Sequence, residues 1–143
     1  MTPTINDRLE GLAAFVPRFE APDFSFGEWS GDVEVIDGVM TMPYCRYSAA
    51  ANDFVQCAYD LKWVREDCDW PSWSQTPEAA RLRDDPDALA QATLDQLACL
   101  LTTVIRKDRY CEGELAAAFD TGLLTRICRR AAQLAAESAE GRQ

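Results

Sequence analysis

Apolar residues recur at helical spacing along most of the chain. After Thr4, with Asp7 in the capping-box position, Leu9, Leu12, Ala13, Phe15 and Val16 form a stripe that predicts a first helix closed by Pro17. The period is lost over "RFEAPDFSFGEWSGD", where Phe19, Phe24, Phe26 and Trp29 alternate with turn formers and are expected to fold back onto the body. Val33 to Ile36 and Val39 to Met42 then flank Asp37-Gly38, a dipeptide that accepts positive φ at both central positions of a type I′ turn. This predicts a hairpin, and because a lone hairpin is marginal in water it is expected to lean on helices.

From Ser48 the helical period returns. Phe54, Val55, Ala58, Tyr59 and Leu61 predict a helix capped by Ser48 and running through Val64. "REDCDWPSWSQ" reads as a loop, since Pro71 lacks an amide donor and biases Trp70 towards extended backbone. Trp63 is expected in the core, with Trp70 and Trp73 straddling Pro71 as a plug of which one ring stays partly exposed. Thr76-Pro77-Glu78 and Asp85-Pro86-Asp87 are two helix starts nine residues apart, so a short helix lies between them. From Pro86, Leu89, Leu94, Leu97, Leu101, Val104 and Ile105 predict one central helix of about six turns. Arg106, Lys107 and Arg109 close it, and Arg109 with Glu112 is expected to form a polar bracket. Two further helices, split at Asp120-Thr121-Gly122, complete the chain before a frayed tail over residues 138–143. The fold class is therefore α+β, mainly α: five or six helices around a long central one, with a small β-hairpin, in a single domain over 1–143.

Composition narrows the chemistry. With 143 residues, 48% hydrophobic and 27% charged, the chain suits a globular domain. No apolar run approaches the roughly 20 residues of a membrane span, and Met1 to Arg8 is not a basic region leading into a hydrophobic stretch. A soluble, cytoplasmic protein is expected. Histidine is absent, which removes the commonest general base and the catalytic triads built on it. Phosphate-cradling glycine loops are absent too. Six cysteines fall singly within apolar patterns, without a C-x-x-C pair, and read as reduced, buried thiols rather than metal ligands. No cofactor or metal is implied. The carboxylate pairs Asp67 with Asp69 and Asp84 with Asp85 could act in acid–base chemistry, although neighbouring acids more often cap helices. Cys68 and Cys111 are the thiols least clearly buried by pattern, hence the candidate nucleophiles.

Charge is the most unusual global property, with 14 Lys and Arg against 24 Asp and Glu for a net −10. Residues 1–100 hold 7 basic and 18 acidic residues, whereas residues 101–143 hold 7 and 6. Such a surface repels a phosphate backbone, so direct nucleic-acid binding is disfavoured, even though Arg126, Arg129 and Arg130 beside a short interhelical break faintly suggest helix-turn-helix.

The segments "GVMTMPY" (38–44), "DWPSW" (69–73), "LAQATLDQLACLLT" (89–102) and "RKDRYCEGELAAAFDTGLLTRICRR" (106–130) together resemble a bacterial family known only as a domain of unknown function. The resemblance spans Leu9 to about Leu134. It implies a compact, mainly helical bacterial domain and no activity, cofactor or catalytic residue.

Elimination and charge lead to a non-enzymatic interaction protein that docks on a basic, nucleic-acid-binding surface of a partner protein, as an inhibitor or nucleic-acid mimic in the manner of anti-CRISPR proteins. The candidate partner-binding residues are Glu28, Asp32, Glu34 and Asp37 around the hairpin, Glu66, Asp67, Asp69 and Trp73 in the tryptophan loop, and Asp84 and Asp85 between the two proline-led helix starts. For a mimic they should gather into one patch. The alternatives are a small enzyme using a carboxylate pair or a reactive cysteine, and a transcriptional accessory protein.

Overall fold

The computed structural model describes residues 3–30, 34–41, 44–111 and 113–140. Helix α1 (Ile5–Ala13) begins at a reciprocal capping box: Thr4 Oγ1 accepts the Asp7 N–H at 3.0 Å and Asp7 Oδ2 accepts the Thr4 N–H at 3.1 Å. Its stripe stops short of Pro17. The proline instead enters the first turn of α2 (Val16–Phe19), where a missing amide donor leaves no hydrogen bond unmade.

The irregular aromatic segment folds back as expected. Phe19 stands with its ring centroid 5.3–5.8 Å from those of Phe15, Phe24, Phe26, Phe54 and Phe119, and Phe26 stacks on Phe119 at 4.9 Å. The Trp29 side chain lies outside the described residues. Four short strands follow: β1 (Gly27–Ser30), β2 (Glu34–Ile36), β3 (Val39–Thr41) and β4 (Tyr44–Tyr47). β2 pairs with β3 inside an outer antiparallel pair of β1 with β4, so the hairpin forms where expected and a second pair carries it. Asp37 (φ 52°) and Gly38 (φ 79°) take the two left-handed positions of the turn.

Ser48 caps α3 (Ala49–Asp60), its hydroxyl accepting the Ala51 N–H at 3.2 Å. The helix ends through Lys62, whose φ of 63° turns the chain so that the Trp63 N–H reaches the Ala58 carbonyl at 2.8 Å. Trp63 is fully buried, its ring N–H donating to Arg8 O at 3.1 Å with the Arg8 guanidinium 4.4 Å from the ring centroid. The tryptophan loop contains a single helical turn, α4 (Trp70–Trp73), with Pro71 in its first turn. Thr76 caps α5 (Pro77–Asp84).

The six-turn helix expected from Pro86 is two helices. A one-turn α6 (Pro86–Leu89) stops, and α7 (Leu94–Asp108) starts anew at Thr93, whose hydroxyl accepts the Gln96 N–H at 3.2 Å while Gln96 Oε1 accepts the Thr93 N–H at 2.9 Å. Two orphan donors are satisfied by that box, which outweighs continuity of the leucine stripe. α7 is central, with every residue from Leu100 to Ile105 buried. Its threonines return their hydroxyl protons to their own helix, Thr102 to Ala98 O and Thr103 to Cys99 O, each at 2.7 Å.

Helices α8 (Glu114–Asp120) and α9 (Leu123–Glu140) meet at Gly122, where φ is 86°. α9 carries residues 138–140 of the expected tail as helix, and α1 lies along it, joining the two ends of the chain. One hydrophobic cluster runs from Leu9 to Ala131. The architecture is α+β and mainly α, with six helices longer than one turn among the described residues.

Candidate functional site

The inner hairpin is bare. Val35, Ile36 and Val39 are 66%, 61% and 66% exposed, and the remaining large exposed apolar residues among those described are Ile5 and Tyr110. Successive strand residues point to opposite faces, so exposure of both Val35 and Ile36 means that neither face of β2 is covered. Among the described residues, the ribbon meets the body through Tyr47, which packs edge-on to Phe26 at 5.8 Å, and Cys45, which borders the core. The hairpin was expected to lean on helices; its described apolar side chains, Val35, Ile36 and Val39, are exposed instead, while Val33 and Met42 lie outside the described residues. Acids accompany the ribbon: Glu28 is exposed and faces Arg46 across the ladder, and Asp37 sits at the exposed tip. Glu34 belongs to β2 with its side chain outside the description, and Asp32 lies outside the described residues.

The base is fixed by a polar hub that sequence reasoning missed. Tyr47 donates its hydroxyl proton to Asp108 Oδ1 at 2.5 Å, and the same oxygen accepts the Leu115 N–H at 3.1 Å, so β4, α7 and α8 meet on one carboxylate. Burial first, then the hydrogen bond to Asp108, pushes the Tyr47 phenol well above its ordinary value. The expected bracket of Arg109 with Glu112 falls outside the description because Glu112 does; Arg109 instead donates to the Tyr59 hydroxyl at 2.7 Å.

The other candidate acids take local roles. Asp69 caps α4 and Asp85 caps α6, its Oδ1 accepting the Asp87 N–H at 3.0 Å. Glu66 and Asp67 share a groove of about 610 Å³ with Tyr59, Lys62, Val64, Arg106 and Arg109. Asp84 lines a different one beside Arg83 and Glu114, and Asp85 a third beside Arg81 and Glu78. Each of these grooves is also lined by arginine side chains, and Glu66 with Asp67, Asp84 and Asp85 lie in three separate ones. Trp73 packs partly buried against the core and donates its ring N–H to Glu78 Oε2 at 3.2 Å, while Trp70 stacks on Tyr110 at 6.5 Å. The plug forms, and Trp70 with Tyr110 is its outward part.

The basic cluster of α9 is turned to structural use. Arg130 Nε donates to Ala92 O at 2.9 Å, Arg126 reaches Arg83 O at 3.5 Å and Arg129 pairs with Glu20. These bonds tie α9 to the α5–α7 segment and to α2, and take guanidinium donors away from any phosphate. Among the described residues no group of three or more Cys, Asp or Glu is placed to hold a metal ion, and no helix is long and apolar enough to cross a membrane.

No curated protein and no solved structure matches the chain. Residues 5–137 match the family of unknown function DUF6508, which covers every element from α1 to the greater part of α9, including the bare hairpin and the Tyr47–Asp108 hub; the chain belongs to that family.

Proposed function

We propose that the protein is a non-enzymatic binding module that docks on a basic surface of a partner protein, with the β2–β3 hairpin as its apolar anchor. The observation that carries this is the exposure of Val35, Ile36 and Val39 on a hairpin next in the chain to β4, which Tyr47 ties to Asp108. Burying β-branched side chains at an interface gains about 25 cal/mol per Å² of apolar area, and a protruding strand pair also offers edge N–H and C=O groups to a partner. A net charge of −10 selects a partner of opposite sign, accelerates encounter and repels nucleic acid itself. A nucleic-acid-binding surface is the basic surface that such a module would block, which makes the inhibitory role the natural form of the activity in a reducing, cytoplasmic setting. With the acids spread over separate grooves, contact would rest on the hairpin and the charges of its ribbon, Glu28, Asp32, Glu34 and Asp37, more than on a phosphate-like ladder.

The test is capture from lysate with tagged wild-type chain, with a Val35→Ser/Val39→Ser variant, and with wild type at raised salt. Basic proteins retained by the wild type and lost both in the variant and at high salt are the expected result. Retention of the same proteins by the variant, or capture indifferent to salt, overturns the proposal.

A further inference from the structure

Cys68, in the turn before α4, and Cys99, near the start of α7, are 31 positions apart, yet their sulfur atoms lie 3.5 Å from each other with the Cys68 thiol donating to that of Cys99. The frame around them is set. The Arg65 N–H donates to Thr102 Oγ1 at 3.0 Å, the Arg65 guanidinium meets Asp95 at 3.2 Å, and α4 packs on α7. A disulfide has its sulfurs about 2.05 Å apart, so bond formation needs the two to approach by about 1.5 Å. Both cysteines are half-buried, hence open to a small oxidant, whereas Cys128 is sealed in the core and Cys111 is exposed.

We propose that Cys68 and Cys99 are a covalent modification site, a dithiol that a peroxide converts to a disulfide. The Cys68 thiolate attacks one peroxide oxygen and the O–O bond breaks. The departing oxygen leaves as hydroxide, which takes up the proton released when the Cys68 thiol ionised and becomes water, and Cys68 becomes a sulfenic acid. The Cys99 sulfur then attacks the sulfenic sulfur: the S–S bond forms, the S–O bond breaks, and the hydroxyl leaves with the Cys99 proton as a second water. Two electrons have passed from the sulfurs to the peroxide. The order follows from environment, because burial pushes the Cys99 thiol up to about 11 and leaves it little thiolate at neutral pH. The bond would fasten the segment of Glu66, Asp67 and Asp69 to the central helix. None of these groups belongs to the hairpin, so this site stands or falls separately from the binding reading.

The experiment uses the full chain carrying Cys111→Ser, which removes the exposed thiol that would cross-link copies. After hydrogen peroxide, the expected result is an intact mass lower by about 2 Da, the two hydrogens lost per disulfide, with a peptide linking Cys68 to Cys99. The melting temperature should rise by about 10 °C, the shift a closed loop of this length confers on a domain of this size, and a thiol reductant should reverse it. Adding Cys68→Ser or Cys99→Ser should each abolish the mass loss, circular dichroism confirming the fold; should Cys99→Ser fail to fold, Cys68→Ser in the surface turn decides alone. A gain of oxygen without a Cys68–Cys99 link, or a link between another pair, overturns the proposal.

Discussion

Asp108 and Cys128 show how far a single side chain's role depends on what the fold brings to it. Asp108 stands in the sequence between Lys107 and Arg109 at a helix end, where a charged residue is ordinarily solvated, and nothing local foretells that Tyr47 and the Leu115 N–H converge on it. Trp63 was legible from its size, although it lies beyond the end of α3, and Cys128 from helical period. The buried acids of this protein are thiols and a phenol: burial raises Cys128, Cys99 and Tyr47 above their ordinary values. Such groups bind their protons more tightly folded than unfolded. The stability they contribute is therefore fully present below the unfolded values, about 8.5 for a thiol and about 10 for a phenol, and is lost progressively as pH rises from there towards the raised folded values. Urea midpoints measured from pH 7 to 11 should fall from about pH 8.5 upward. In Tyr47→Phe the part of the decline above about pH 10 should be shallower, and an unchanged slope there would mean that the Tyr47 environment does not favour its proton.

At the scale of elements, capping chemistry was the most legible information and also the place where it was under-read. Thr4, Ser48, Thr76 and Asp85 each begin a helix where their side chains and spacing say one should begin. Thr93 with Gln96 carries the same signal, but Leu89, Leu94 and Leu97 keep a helical period across it, and the stripe read through the boundary. Apolar period reports which side faces the core, and two helices in line can share a side. Consequently Thr93→Ala separates the two architectures. In an uninterrupted helix alanine would be the better residue; at a cap it leaves the Gln96 N–H without its acceptor and should cost about 1 kcal/mol. A denaturant midpoint shifted towards instability at constant slope is expected, and a stabilised variant would argue for a continuous helix from Pro86.

For the whole molecule, the helical core was legible because burial repeats along each helix, whereas the arrangement of charge was not, because sequence order does not say which cation lies opposite which acid. Glu28 facing Arg46, and Glu66 and Asp67 beside Arg106 and Arg109, are products of tertiary packing. The hairpin illustrates the same limit. Its turn was readable from Asp37-Gly38, but whether Val35, Ile36 and Val39 would be covered depended on where the helices ended up. If those residues are an interface and not a displaced piece of core, their apolar character contributes little to the stability of the isolated chain. Val35→Ser/Val39→Ser should then leave the urea midpoint of the purified protein nearly unchanged, with each exposed substitution worth within about 0.5 kcal/mol beyond the modest strand preference. Loss of a buried valine would instead cost 2 kcal/mol or more, about the scale of core truncation. Near-neutral stability, set beside loss of partner capture in the same variant, distinguishes a surface kept apolar for association from one needed for folding, and a large destabilisation would place the hairpin within the core and remove the anchor on which docking depends.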